Sequence, residues 1–143
     1  MAVTNTAAFG QAPNIGQAIL TAAKSAPLSG GTNAVLLFTS GVNGSLINGI
    51  VAIPRNTLSN PAHIALYCST DSGTTVNLAA IGLLAAWTFA ATTSPTPLSL
   101  VNLNGTVISA ANPLYMPAGM KLYASSSQAL SDGILVTANG VDL

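Results

Sequence analysis

The chain has 143 residues, half of them hydrophobic, with three Lys or Arg, three Asp and no Glu. That length fits one domain, which buries roughly 70% of its unfolded surface and so holds a core without staples. Six charges are too few to neutralise a track of phosphates, which argues against nucleic acid, and 4% charged residues against a usual ~25% leaves no net charge to keep copies apart.

Residues 1–16 show weak periodicity, contain Pro13 and many small side chains, and read as an extended N-terminal arm of the kind that orders on a neighbour. From residue 17 to 143 the dominant signal is a series of short runs of Val, Ile, Leu, Thr and aromatics. Gly, Pro, Asn or Ser clusters bound these runs about every 8–12 residues. The spacing predicts a single-domain, all-β, antiparallel β-sandwich or jelly-roll-like barrel.

Candidate strands are residues 17–23, 34–39, 46–53, 64–69, 75–81, 87–91, 98–103, 121–125 and 134–139. Alternation places Ile64, Leu66 and Cys68 on one face, Val76, Leu78 and Ala80 on another, and Ile134, Val136 and Ala138 on a third. Turn chemistry separates the runs at Asn43-Gly44, at residues 70–73, and at Asn104-Gly105, Pro117-Ala118-Gly119 and Asp132-Gly133. Residues 78–91 read as two strands, or as a short helix followed by a strand, because Ala and Leu dominate them. They are interrupted by Thr88 and stop short of the ~20 residues that cross a bilayer, and residues 1–16 lack the pattern of a signal peptide, so no membrane partner is expected.

Little in the sequence carries chemistry. His63, Ser69 and Asp71 supply the residue types of a catalytic triad, but His63 and Ser69 fall six residues apart along one predicted strand, with Asp71 beyond a turn and no Gly-x-Ser-x-Gly elbow. The three Asp residues, Asp71, Asp132 and Asp142, sit in separate segments, and one His with one Cys cannot close a zinc site, so neither a metal nor another cofactor is expected. Scattered Asp without Glu gives no carboxylate pair for glycoside hydrolysis. Gly30-Gly31 lacks the Lys of a phosphate loop and reads as a turn. The sequons Asn43-Gly-Ser45 and Asn104-Gly-Thr106 coincide with turn signals and are read as turns. Cys68 allows no intrachain disulfide and reads as a small buried hydrophobe, with an intermolecular bridge formally open. Trp87 and Phe89 sit among Leu and Ala and are expected in the core. Arg55 follows Pro54 at a strand end, placed either to pair across a subunit boundary with Asp71, Asp132 or Asp142 or to remain solvated. With Phe9 in the arm, these four charged residues are the candidate intersubunit contacts.

The strings TNAVLLFTSGVNGS, AIPR, YCSTDSGTT, LLAAWTFA, LYMPAGMKLY and GILVTANGVDL, in that order from Thr32 to the C-terminus, resemble small all-β virion proteins encoded beside the major capsid genes of tailed bacteriophages. Where similar sequences carry basic residues after the Asp-Ser-Gly-Thr-Thr turn, this chain has Val76-Asn77. The resemblance implies a non-enzymatic capsid cement or decoration protein on the outside of the phage head. Such a protein is made in the host cytoplasm, associates as a homotrimer and bridges copies of the major capsid protein. Low charge is also expected where partner subunits cover large areas, and binding to the mature shell then stabilises it by mass action. A tail or fibre component contacting host glycans is the alternative; it requires exposed aromatics beside Asn or Asp. An ice-binding protein needs a flat Thr-x-Thr ladder, which is missing here, and an enzyme finds almost no acids, bases or ligands.

Overall fold

A computed structural model describes residues 12–24, 33–72, 74–90 and 92–143. Ten strands succeed one another: β1 (Ala12–Leu20), β2 (Val35–Thr39), β3 (Ser45–Pro54), β4 (Ala62–Ser69), β5 (Asn77–Leu84), β6 (Leu98–Ser99), β7 (Val101–Asn102), β8 (Leu114–Met116), β9 (Lys121–Ser126) and β10 (Ile134–Asp142). They form two antiparallel sheets, one ordered β1-β10-β3-β6 with β8 also on β3, the other ordered β2-β9-β4-β5-β7. No helix occurs among the described residues.

The pairing is nested. β1 pairs with β10, β2 with β9, β3 with β8 and β6, and β4 with β5. One long antiparallel ribbon therefore doubles back at the β4–β5 turn, and its successive pairs alternate between the sheets. That is the strand order of a jelly roll, one of the two architectures expected from the sequence.

Core-facing positions follow period two where the expectation placed them, although the intervening Ala65 and Tyr67 of β4 are buried as well. Ile64 and Leu66 of β4, and Ile134, Val136 and Ala138 of β10, all point into the core. Cys68 packs against the same core and is half-buried, and that burial raises its thiol pKa. The face proposed for Val76, Leu78 and Ala80 does not exist, because β5 begins at Asn77 and bulges: Leu66 faces Ala80 while Tyr67 faces Leu78. Ala79 is the extra residue, so Leu78 turns outward while Ala80 stays in the core.

Several boundaries differ from expectation for physical reasons. β1 starts at Ala12, so residues 12–16 are ladder residues paired with β10 rather than the end of a free arm; residues 1–11, including Phe9, lie outside the described residues. Residues 87–90 form no strand: Trp87 exchanges backbone hydrogen bonds with Leu58 (2.7 and 2.9 Å), and the segment it meets soon reaches Pro61, which has no N–H to extend a ladder. The expected strand at residues 98–103 is split, because the chain passes from one sheet to the other at Leu100. There Leu100 is fully buried, and its N–H bonds to Ile50 O at 3.0 Å. β8, three residues between Pro113 and Pro117, is too short to show alternation and was not anticipated.

The two sheets meet closely along β1 and β2. A Cβ built on Gly16 would fall 1.9 Å from Leu37 O, so only glycine lets the β2 backbone pass there. β2 bulges at the same point, skipping Leu37 between the Leu36–Tyr123 and Phe38–Leu122 pairs. Gly16→Ala is predicted to cost about 1–3 kcal/mol in urea unfolding. Leu100→Ala is predicted to cost about 2–5 kcal/mol through the cavity it leaves. Deleting residues 1–16, which an arm would tolerate, is expected to lower stability because five β10 partners are lost.

Candidate interaction surface

The sandwich has two ends. One carries the β2–β3 loop, the turn after β4, the β8–β9 turn and the C-terminus; the other carries the loops after β3, β5 and β9. The six-residue separation of His63 from Ser69 along β4 corresponds to ~20 Å, which puts them at opposite ends and disperses the triad. Ser69 instead donates from Oγ to Asp71 Oδ1 at 2.7 Å.

Each Asp has a neighbour in its own chain. Asp71 accepts the Thr75 N–H at 2.8 and 3.0 Å as well as the Ser69 hydroxyl, and these bonds hold its carboxyl down at about 2. The turn it ties includes Ser72 at φ 60°, whose hydroxyl accepts from Lys121 Nζ at 2.9 Å. Asp142 Oδ1 accepts from Ser45 Oγ at 2.6 Å and Asn14 Nδ2 at 2.8 Å, and those two bonds lower its pKa. Ser45 Oγ in turn accepts the Gly41 N–H at 2.9 Å, so this cluster ties β1, β3, β10 and the β2–β3 loop together. Gly44, at φ 98°, closes that loop with its N–H on Gly41 O (3.1 Å). The loop links strands of different sheets, so the Asn43-Gly44 turn joins two β runs without making a hairpin.

Asp132 accepts from Asn56 Nδ2 at the opposite end, and Arg55 N bonds to Gly133 O at 3.1 Å. The structure thus brings Arg55 and Asp132 to one loop cluster and leaves Asp71 and Asp142 at the far end. Arg55 itself is exposed.

The same cluster overturns one expectation. Phe89 is 60% exposed and Trp87 only half-buried, their rings edge to face with centroids 5.8 Å apart. The strand that holds the Leu and Ala run stops at Leu84, before Ala85 and Ala86, and beyond it the chain leaves the sheet. Phe89 N bonds to Thr57 Oγ1 at 2.9 Å, and Leu58 pairs with Trp87, so residues 55–58 and 87–89 form one unit. The chain's single Arg and single Trp therefore share a solvent-facing loop cluster.

The outward faces of the two sheets differ. In the second sheet Ala65, Tyr67 and Ser125 point away from the core yet are buried, with the Tyr67 and Ser125 hydroxyls 3.2 Å apart. Outward positions of the first sheet are half-buried or exposed, Ile15 at 65% and Tyr115 at 55%. Alternation marks the outward positions in the sequence, but only the pairing shows that they line up.

The described residues contain no cluster of three or more His, Cys, Asp or Glu fit to hold a metal, and no helix long and apolar enough to cross a membrane. No family model matches the chain, and no curated protein does. A solved structure of infectious bursal disease virus (Gt strain) is similar over 90% of this chain at 13% identity, with a TM-score of 0.28. This chain spans about a third (32%) of that one, and a likeness so slight carries no argument; the jelly roll is assigned from strand order.

The carboxylates set the acid response. Asp71 and Asp142 have folded pKa values below their unfolded ones, so the stability they contribute is present above the unfolded value near 3.8 and lost as pH falls toward the folded value, about 2 for Asp71. Thermal midpoints are predicted to fall between about pH 4 and about pH 2, and the Asp71→Asn, Asp142→Asn double variant to show a shallower fall over that window.

Proposed function

We propose that this protein is a non-enzymatic structural component of a virion, a decoration or cement protein that binds the major capsid protein on the exterior of a phage head and bridges adjacent capsid subunits. The observation that carries the reading is the ring pair of exposed Phe89 and half-buried Trp87, in one loop cluster with exposed Arg55, on a jelly roll otherwise nearly free of charge. Trp and Arg are the side chains most enriched where binding energy concentrates, because they combine large apolar area with a fixed polar geometry. A jelly roll also serves lectins and cupins, so the fold admits the role while the site argues for it. The sequence resemblance to phage head proteins supports the same assignment, with a homotrimer as the assembled form.

The exposed aromatics, next to the Asn56–Asp132 pair, also meet the requirement stated for a glycan-binding tail or fibre component. Co-sedimentation with mature capsids of the phage encoding the protein separates the two readings. Saturable binding that drops at least tenfold in Trp87→Ala and Arg55→Ala, with unchanged circular dichroism, is expected. Absence of capsid binding together with signal on a glycan array would replace the capsid reading by the second.

A further inference from the structure

The outward positions of the first sheet break the rule that a solvated antiparallel sheet is polar outside. Paired across the strands, they form four rows. Near one end Ile19, Leu135 and Ile53 stand side by side; the next row is Gln17, Thr137, Val51 and Ser99. Then come Ile15, Asn139 and Gly49, and last Pro13, Val141, Leu46 and Tyr115. No position in the four rows carries a charged side chain. Ile15, Ile19 and Tyr115 are exposed, and Leu46, Val51, Ile53, Leu135 and Val141 are half-buried.

We propose that this face is the contact surface between copies of the chain. Its extent fits: nine residues along β1 and β10 and four strands across give about 30 Å by about 20 Å, or roughly 600 Å² of projected area. That approaches the ~800 Å² each partner contributes to a standard stable interface. Its chemistry selects the partner. A face without charge makes no ion pairs, and any charged group brought against it is desolvated without compensation. The facing surface must therefore be charge-poor, whereas ordinary protein chains are ~25% charged. A second copy, from a chain 4% charged and with no net charge, meets that condition. Gln17, Thr137 and Asn139 place uncharged polar groups among the aliphatic rows, where hydrogen bonds set the register of one copy on the other.

The second sheet differs: its outward centre at Ala65, Tyr67 and Ser125 is already buried, and exposed apolar side chains, Leu36 on β2 and Leu83 on β5, stand apart at its flanks. The loop cluster at residues 55–58 and 87–89 lies at the margin of the sandwich and stays open for another partner. The proposal gives the homotrimer of the capsid reading a contact face, and because it is measured without a capsid its failure is distinguishable from a failure to bind capsids.

Light scattering behind a sizing column tests the proposal on the full chain. The wild type is expected at a whole multiple, two or more, of 14.2 kDa, and at ~1 M salt the mass should persist, because apolar contacts are not screened. Ile15→Lys and Asn139→Lys, each at an exposed position of the face, should return the mass to 14.2 kDa with the far-ultraviolet β spectrum retained. Leu83→Lys, at a 53% exposed position on β5 of the other sheet, should leave the oligomer intact. A wild-type monomer at its highest soluble concentration overturns the proposal. So do folded Ile15→Lys and Asn139→Lys variants that keep the oligomeric mass, or dissociation caused by salt alone.

Discussion

The fold depends on the position of its last strand. β10 lies between β1 and β3, giving Ala12–Leu20 its ladder on one side and Ser45–Pro54 theirs on the other. The first sheet is therefore incomplete until the C-terminus arrives, and the pairs it joins are distant in sequence. Such contacts must close long loops before they stabilise anything, which predicts slow, cooperative folding. Asp142 secures the outer end of that strand through Ser45 and Asn14, one residue from each flanking strand. In a chain with three carboxylates, one of them is committed to this junction.

Scarcity of charge then shapes everything outside the core. The turns close with glycine at positive φ and with Asx and hydroxyl bonds rather than ion pairs: Gly44, Gly105, Gly119 and Gly133 are left-handed, and Asp71 collects bonds from Ser69 and Thr75. The outer face of the first sheet is apolar where a solvated sheet would be polar. Contiguous exposed apolar surface of this kind marks interaction sites, which is the link between the composition and the proposed self-association. Trp87, Phe89 and Arg55 belong to the loop cluster at the end of the sandwich where β3 and β5 stop; that end is proposed for a different partner and the sheet face for a second copy.

Much of the architecture was legible because burial imposes period two. Ile134, Val136 and Ala138 announced a core-facing strand, and the turn residues marked its neighbours. What escaped was set by pairing rather than by local pattern. The bulge at Ala79 reversed Leu78, and Leu100 carried one run between two sheets. Ala12 to Gly16 lack hydrophobic alternation, yet they pair because β10 offers them a ladder. Phe89 was misplaced for the opposite reason: its apolar neighbours suggested burial, but the sheet had already ended at Leu84. The three Asp residues were recognised as special, and their assignment to neighbours within the chain came from the segments that present those neighbours.

Hydroxyl-radical footprinting of the free protein and of the protein bound to purified phage heads tests most directly whether it works by contact at these two surfaces. The account predicts that Tyr115 is already protected in the free oligomer, and that Trp87 and Phe89 label strongly until the protein is on the particle and then lose their labelling. Equal labelling of Trp87 and Phe89 in both states, with Tyr115 fully reactive throughout, would contradict it.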